Sequence, residues 1–226
     1  MPEHSLERGI GRVVARRAKR ALDIGGAAVV LLLFSPVLGL IAVALLLTQG
    51  RPILFRQRRP GLHGRIFELV KFRTMRPPRG DEVWYLTDER RTTRLGAFLR
   101  TSSLDELPEL WNVLRGEMSL VGPRPLLPEY LDEYTPEEAR RHDVRPGVTG
   151  WAVVHGRIQL PFRERLALDV WYVDHWSLRL DLRILGMTAV QVLQRRDVTG
   201  DARAVGYPLP GLSESSAADA TSDDRS

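Results

Sequence analysis

An apolar run near the N-terminus, from Ile24 to Leu47, is the feature that most restricts how this chain folds. As one continuous helix it would measure about 36 Å at 1.5 Å per residue, enough to cross a hydrocarbon core of about 30 Å. It is too long for the core of a signal peptide and lacks a convincing small-x-small cleavage site, so we expect it to be retained. The run therefore predicts a protein embedded in a membrane.

Charges on both sides of this run indicate how it enters the membrane. Arginine and lysine residues are frequent between Arg8 and Arg20 and again between Arg51 and Arg59, and such residues favour the cytoplasmic face. Ser35-Pro36 lies near the centre of the run, where proline removes a backbone hydrogen bond and predicts a kink. A re-entrant hairpin bent there keeps both flanks in the cytoplasm. A kinked transmembrane helix with an ambiguous charge bias is the alternative that the sequence leaves open.

Composition limits the chemistry and the partners. The chain has no cysteine, which excludes disulfides and thiolate metal sites. Its formal net charge of +5 implies an anionic partner, which could be a nucleic acid, an anionic lipid or a phosphorylated substrate.

The order of patterns along the chain predicts four segments. They are a basic juxtamembrane lead-in over 1–20, a re-entrant membrane helix over 21–48, a cytoplasmic catalytic domain over 49–200 and a disordered polar tail over 201–226.

Several elements are predicted inside the catalytic domain. Pro52 to Met75 contains two β-type runs around "PGLHG", which is typical of a hairpin, and Thr93 to Arg100 predicts a short helix. Val144 to Trp151 is interpreted as a turn-rich loop, and 161–195 as helical. In that helical region the clustered Trp171, Tyr172 and Trp176 favour a belt at the membrane interface over core packing.

The stretch "SSLDELPELWNVLRGEMSLVGPRP" places two carboxylates at the start of a predicted helix. Ser103 and Glu106 match a capping box, which puts Asp105 in the first turn, where free N–H groups and the helix dipole would keep it ionised as a nucleophile or metal ligand. Pro108 lies too deep for that start, so we expect a short capped turn and then a helix from Pro108 to near Gly116. Because the pattern is common, both carboxylates could instead simply complement the dipole.

The end of the same stretch offers an arginine between prolines. The prolines of "GPRP" fix the backbone around Arg124, so its planar guanidinium could be held ready for a phosphate, although a structural ion pair is the alternative. Further basic candidates are Lys71, Arg73, Arg100 and Arg145. No Walker loop, G-x-G-x-x-G, H-E-x-x-H or Ser-His-Asp arrangement is visible.

Five segments in order resemble one protein family: "KRALDIGG…LLLFSPVLGL", "FRQRRPGLHGRIFELVKFRTM", "TRLGAFLRTSSLDELPELWNVLRGEMSLVGPRPLLPEYL", "RPGVTGWAVVHGR" and "LDVWYVDHWSLRLDLRIL". The family is the bacterial sugar transferases, monotopic polyprenyl-phosphate phosphoglycosyl transferases, here in a short form. The resemblance covers about residues 18 to 195.

The resemblance implies an α+β, mostly helical monotopic membrane protein with an N-terminal re-entrant membrane helix kinked at Ser35 and Pro36, a small β-hairpin and amphipathic interfacial helices. The implied reaction passes a sugar 1-phosphate from a UDP-sugar to polyprenyl (undecaprenyl) phosphate. It releases UMP, proceeds through an aspartyl phosphosugar intermediate and uses Mg²⁺. This would be the first membrane step of a bacterial polysaccharide or glycoconjugate pathway such as exopolysaccharide biosynthesis, at the bacterial inner membrane with the catalytic domain and termini in the cytoplasm.

The resemblance also implies roles for particular residues. Asp105 and Glu106 are the expected catalytic dyad and metal ligands, and Arg100 and Arg124 are expected phosphate contacts. Lys71, Arg73 and Arg145 are further candidates for binding substrate. His155 in "VHGR" and Glu117 in "GEMS" depart from the residues that are frequent in the family, Asn and Asp, which weakens any analogy about the sugar.

Two other classes of function remain open from the residues alone. One is a non-enzymatic membrane protein that binds anionic lipid or nucleic acid through its basic surface. The other is a metal-dependent phosphohydrolase on the membrane, which would use similar residues with water as the acceptor. The transferase interpretation predicts a UDP-sugar, polyprenyl phosphate and membrane lipids as partners and no nucleic acid. It leaves the sugar, the pathway and the existence of a homodimer undetermined.

Overall fold

The computed structural model describes residues 3–77, 88–156 and 160–194. The helices in these ranges are α1 (Glu3–Gln49), α2 (Asp88–Arg91), α3 (Arg94–Thr101), α4 (Glu109–Arg115), α5 (Pro136–Ala139), α6 (Trp151–Val154), α7 (Phe162–His175) and α8 (Leu178–Gln194). The strands are β1 (Leu54–Pro60), β2 (Ile66–Phe72), β3 (Ser119–Val121) and β4 (Gly147–Thr149). Short 3-10 turns cover Leu62–Gly64, Leu104–Glu106, Pro128–Asp132 and Arg140–Asp143. The predicted fold class, mostly helical with small sheets, is confirmed. The predicted tail lies outside the described residues.

Two small sheets carry the β-structure. β1 and β2 pair antiparallel, with Leu54 opposite Phe72 and Pro60 opposite Ile66, so the predicted hairpin is confirmed. β3 and β4 pair in parallel, with Ser119 opposite Gly147. β4 lies in the segment that the sequence predicts as a loop, because a three-residue strand beginning at a glycine has no alternating apolar pattern.

Helix α1 packs along most of its length against the rest of the molecule. In its first half, Arg20 Nη2 donates to the Val113 carbonyl of α4 at 2.7 Å, and near its middle Ala27 is buried in a cluster that includes Val113. In its second half, Leu45 is buried in another cluster with Phe72 and Leu99. If α1 crossed a bilayer at right angles, only one of its halves could contact a globular domain on one side of the membrane. Contacts in both halves are therefore compatible with a monotopic anchor.

The opposite side of α1 is apolar and exposed. The most exposed large side chains along it include Leu32 at 77%, Leu33 at 72%, Leu40 at 72% and Leu47 at 80%. By length and composition alone, Val14–Gln49 could cross a membrane. The exposed apolar side and the packed side together predict that α1 faces lipid while it stays attached to the globular part.

Ser35 compensates for the hydrogen bond that Pro36 cannot make. α1 continues through Pro36, whose missing N–H leaves the carbonyl of Leu32 without its usual donor. The Ser35 hydroxyl donates to that carbonyl at 2.8 Å. This bond explains how the helix tolerates proline there. The kink, the re-entrant path and the boundaries between the predicted segments remain predictions.

Buried polar contacts attach the first half of α1 to the C-terminal helices. Lys19 Nζ donates to Asp181 Oδ2 at 2.7 Å, and the Tyr172 hydroxyl donates to Asp181 Oδ1 at 2.6 Å. Trp176 Nε1 donates to the same carboxylate at 3.1 Å. Tyr172 is only 1% exposed, so the predicted membrane belt is wrong for that ring, which belongs to the core. Trp171 is 37% exposed.

Candidate active site

Helix α3 delivers Arg100 to the edge of the site. Its N-cap residue Thr93 accepts a hydrogen bond from the Gly96 N–H at 2.9 Å, which satisfies one of the free donors of the first turn. Gly96 lies directly on the Thr74 carbonyl, where an added Cβ would come within 1.8 Å of the oxygen. This close approach sets the helix against the end of β2. The predicted short helix is confirmed.

The dyad lies on a 3-10 turn rather than in a capped α-helix. Ser103 takes a left-handed conformation with φ of 55° and makes no side-chain capping bond, so the predicted capping box is wrong. The side chain of Glu106 turns away from Ser103 toward Lys71 and Arg124. After Pro108, α4 runs to Arg115 and ends at Gly116 in a left-handed conformation with φ of 87°, which confirms the predicted restart and end.

Cationic side chains from two other elements meet at Glu106. Lys71 Nζ of β2 donates to Glu106 Oε1 at 2.9 Å. Arg124 Nη1 donates to Glu106 Oε2 at 3.3 Å, and its Nη2 donates to Oε1. Both oxygens of Glu106 are therefore held by positive charge. The structure brings together the dyad, Lys71 and Arg124.

The backbone that carries Arg124 is fixed from several sides. Gly122 N donates to the Thr149 carbonyl at 2.9 Å, and Gly147 N donates to the Pro123 carbonyl at 3.0 Å. Arg141, buried in an ion pair with Asp169, donates from Nη2 to the Arg124 carbonyl at 2.7 Å. The rigid "GPRP" turn expected from its prolines is thus further held by the parallel β3–β4 pair and by a buried arginine.

The carboxylate of Asp105, unlike that of Glu106, is not held by a hydrogen bond within the described part of the chain. It is 8% exposed and accepts no hydrogen bond from the residues that the structure describes. Burial and then the charge of Glu106 raise the pKa of Asp105 to about 6, against the opposing effects of Lys71, Arg124 and Arg100. The sequence predicted that a helix dipole would favour the charge, but the turn of Leu104–Glu106 is too short for that, and burial dominates. The group is still mostly ionised at neutral pH.

The remaining predicted phosphate contacts occupy different places. Arg100 Nε donates to Thr74 Oγ1 at 3.1 Å, and its charge acts on Asp105. Arg73 instead binds main-chain carbonyls at the end of α1, those of Gln49, Gly50 and Arg51. Arg145 Nε donates to the Gly116 carbonyl at 2.8 Å, at the end of α4. The structure brings Arg100 near the dyad and gives Arg73 and Arg145 contacts with helix ends.

Two residues that the sequence reasoning missed fix α4 beneath the dyad. Glu109 is 1% exposed, and its Oε1 lies 2.9 Å from Lys71 Nζ. Asn112 is fully buried, accepts from Val70 N at 3.1 Å and donates to the Glu68 carbonyl at 2.7 Å, which joins α4 to β2. One signal in the sequence could have identified them. They lie three residues apart on a short helix, which places two polar side chains on the same face.

The dyad is the place where the implied magnesium ion would bind. Among the described residues there is no group of three or more His, Cys, Asp or Glu side chains able to hold a metal. Magnesium commonly binds through one or two carboxylates together with substrate phosphates and water, so such a group is not required. Burial contributes most to the raised pKa of Asp105 and the charge of Glu106 adds to it, and a divalent cation would relieve this repulsion between the two carboxylates. The residues present therefore fit the ion. Asp105 would be the more available ligand, because the oxygens of Glu106 already bind Lys71 and Arg124.

The departures from the family pattern lie away from these contacts. Glu117 accepts from Asn112 Nδ2 at 2.7 Å, so it supports the α4–β2 junction. His155 is exposed, and its ring lies 3.8 Å from that of Trp151. Among the described residues, no hydrogen bond or ion pair joins Glu117 or His155 to the dyad.

Comparison with known proteins identifies the family. The model of the family described as "Bacterial sugar transferase" matches residues 14–195, most of the chain. The chain belongs to the bacterial sugar transferase family. The resemblance inferred from the sequence segments is confirmed.

Relatives of this sugar transferase cover most of its length. It is 51% identical over 176 residues to the uncharacterized sugar transferase EpsL of Bacillus subtilis, covering 77% of this chain and 87% of the relative. It is 44% identical over 193 residues to the UDP-glucose:undecaprenyl-phosphate glucose-1-phosphate transferase of Caulobacter vibrioides, covering 80% and 72%. It is 39% identical over 208 residues to the exopolysaccharide production protein ExoY of Rhizobium meliloti, covering 84% and 92%.

Proposed function

We propose that this sugar transferase moves a sugar 1-phosphate from a UDP-sugar to polyprenyl phosphate and releases UMP. The relative from Caulobacter vibrioides is named for this reaction with glucose, so UDP-glucose is the first donor to test. Exopolysaccharide synthesis is the pathway class suggested by the name of ExoY.

The contrast between the two dyad carboxylates carries the proposal. Glu106 is held on both oxygens by Lys71 and Arg124. Asp105 is buried beside it without a hydrogen bond from the described residues, and it is mostly ionised at neutral pH. A nucleophile needs a free, charged oxygen, whereas an electrostatic partner needs a fixed position. Asp105 is accordingly the nucleophile, and Glu106 orients the cations around it.

The transfer would occur in two displacements at one phosphorus. A carboxylate oxygen of Asp105 attacks the β-phosphorus of the UDP-sugar, the bond from that phosphorus to the bridging oxygen breaks, and UMP leaves with that oxygen. A phosphate oxygen of the lipid then attacks the same phosphorus, and the bond to Asp105 breaks. The products are polyprenyl diphosphate-sugar and the free carboxylate. Two easier steps replace one transfer between two anions.

The positive side chains lie where this chemistry needs them. Lys71, Arg100 and Arg124 all act on the charge of Asp105, so they are placed to stabilise phosphoryl oxygens that arrive beside it. Magnesium held by Asp105 and Glu106 with the diphosphate would supply further neutralisation of that charge. The side chains of Arg124 and Lys71 must then exchange part of their contact with Glu106 for contact with substrate.

The site adjoins the anchor that we expect to face lipid. Leu104, directly before Asp105, packs against the cluster that contains Ile41 and Leu45 of α1. Phe98 of α3 and Trp111 of α4, which precede and follow the dyad in the sequence, are 57% and 53% exposed. A shallow site at the membrane surface could meet both a lipid headgroup phosphate and a soluble nucleotide sugar. We propose the inner membrane, with the catalytic domain and termini in the cytoplasm, because basic residues flank the apolar run on both sides.

Release of UMP tests this function. Detergent-solubilised protein with Mg²⁺ is given a panel of UDP-sugars, with and without undecaprenyl phosphate, and both UMP and the lipid product are measured. The proposal expects sustained UMP release that depends on the lipid and yields lipid-linked sugar phosphate. Turnover without lipid would indicate a hydrolase. Lipid binding with no turnover for any sugar would contradict the transferase.

A further inference from the structure

We propose that Glu109 is a positioning residue for the reaction, which holds the Lys71 ammonium over the dyad while substrate phosphate replaces Glu106 as its partner. This inference rests on the proposed function. It concerns a carboxylate that the mechanism above does not use.

Lys71 bridges two carboxylates of different accessibility. Its Nζ lies 2.9 Å from Oε1 of Glu106 and 2.9 Å from Oε1 of Glu109. The directed hydrogen bond goes to Glu106, whose side chain is 15% exposed, while that of Glu109 is 1% exposed. An incoming phosphate can therefore reach the contact with Glu106, whereas the contact with Glu109 is closed off.

Glu109 is itself firmly placed. It begins α4, and one helical turn later the buried Asn112 joins α4 to the backbone of β2, the strand that carries Lys71. Lys71 and Glu109 therefore project from two elements that are joined by hydrogen bonds beside them. Burial raises the pKa of Glu109 because it disfavours the charged form, and the Lys71 ammonium 2.9 Å away is the largest effect that opposes this rise.

A fixed ammonium matters because a lysine side chain is flexible. Its stem has many rotamers, and that conformational freedom must be lost when the ammonium binds a phosphate. A group already placed before the reaction needs no such reorganisation at the transition state. Glu109 would keep Lys71 in place when Glu106 no longer holds it alone.

Two possible roles of Glu109, as a negative charge or as a positioning residue, predict different effects of Glu109→Gln on KM and kcat. If only net charge mattered, Glu109→Gln would make the site more positive, and KM for the anionic UDP-sugar would fall with kcat unchanged. If Glu109 positions Lys71, kcat falls by roughly 10- to 100-fold, since a displacement of about 1 Å in a catalytic group can cost about that much. Glu109→Asp keeps the charge on a shorter stem and should retain more kcat than Glu109→Gln.

A double-mutant cycle tests whether Glu109 acts through Lys71. Single-turnover rates are measured for wild type, Glu109→Gln, Lys71→Met and the double variant, and thermal unfolding confirms that each is folded. The proposal expects Glu109→Gln to cost no further rate once Lys71 is Met. If Glu109→Gln does not fold, Glu109→Asp takes its place in the cycle. Asp181→Asn is the matched control, a buried carboxylate bound to Lys19 and Tyr172, whose effect on rate should multiply with that of Lys71→Met.

The outcomes separate the two proposals. A wild type that releases no UMP with any UDP-sugar overturns the proposed function. An active wild type in which the effects of Glu109→Gln and Lys71→Met simply multiply, or in which Glu109→Gln lowers KM alone, overturns the role of Glu109 and leaves the function standing.

Discussion

Arg124 binds both carboxylate oxygens of Glu106, and this pair joins segments of chain 18 residues apart. The contact distinguishes Glu106 from Asp105, which precedes it directly and accepts no hydrogen bond from the described residues. Two neighbouring carboxylates thus have different surroundings, and the proposed function assigns each a separate chemical role on the basis of this difference.

Arg73 should contribute to stability rather than to phosphate binding. Its guanidinium donates to carbonyls at the end of α1, including that of Gly50 at 2.8 Å and that of Arg51 at 3.3 Å. Arg73→Met should lower the free energy of unfolding by about 2–4 kcal/mol through these lost hydrogen bonds, with little change in KM for the UDP-sugar. Thermal unfolding in detergent and initial rates measure both quantities.

Lys71→Met is the matched comparison for Arg73. It removes a cation from the dyad, so it should reduce the rate more than the stability. If Arg73→Met instead kept full stability and raised KM, Arg73 would belong to the phosphate site after all.

The free energy of unfolding should decrease at acidic pH because His142 is buried in its neutral form. Burial, and then the charge of Arg141, lower the pKa of His142 to about 4, although its Nδ1 lies 3.3 Å from the Gly61 carbonyl. The unfolded histidine has a pKa of about 6.5, so between these values the unfolded state binds more protons and stability decreases as pH falls. The loss should reach up to about 3 kcal/mol below pH 4.

Thermal unfolding between pH 7.5 and 4 checks this expectation for wild type and His142→Asn. The variant cannot take up that proton, so its stability should depend less on pH across this range. Identical pH profiles for the two proteins would contradict a neutral, buried His142.

The hydrogen bond from Ser35 should matter only while residue 36 is proline. Ser35→Ala leaves the Leu32 carbonyl without the donor that now lies 2.8 Å away, which should cost about 1–2 kcal/mol. In a Pro36→Ala background the backbone N–H returns to that carbonyl, so the same change should cost less than about 0.5 kcal/mol. Thermal unfolding of the four proteins in nanodiscs measures the coupling. Equal costs in both backgrounds would show that the hydroxyl does not compensate for proline.

Local signals in the sequence were enough for elements whose ends are set by their own residues. The turn "PGLHG" located the β1–β2 hairpin, and Pro108 with Gly116 located α4. The capping box failed because Ser103 adopts a left-handed conformation that its neighbours in sequence do not require.

Contacts between distant segments could not be predicted in the same way. Arginine suits a phosphate and a set of main-chain carbonyls equally well, so residue type alone did not separate Arg124 from Arg73 and Arg145. The family resemblance, with the prolines on either side of Arg124, ranked it above them. Glu109 has no local signal of burial in the sequence, yet its exposed fraction is only 1%. The position of the candidate site follows from its motif, whereas the residues that surround it depend on packing.

Covalent attachment of sugar phosphate to Asp105 tests the central claim most directly. Purified protein is mixed with Mg²⁺ and the UDP-sugar that supports turnover, in the absence of polyprenyl phosphate, and is quenched rapidly for intact-mass and peptide analysis. The account predicts a mass increase of one sugar phosphate on the peptide that contains Asp105, lost when lipid is added and absent from Asp105→Asn. Full turnover by Asp105→Asn, or an adduct on another residue, would contradict it.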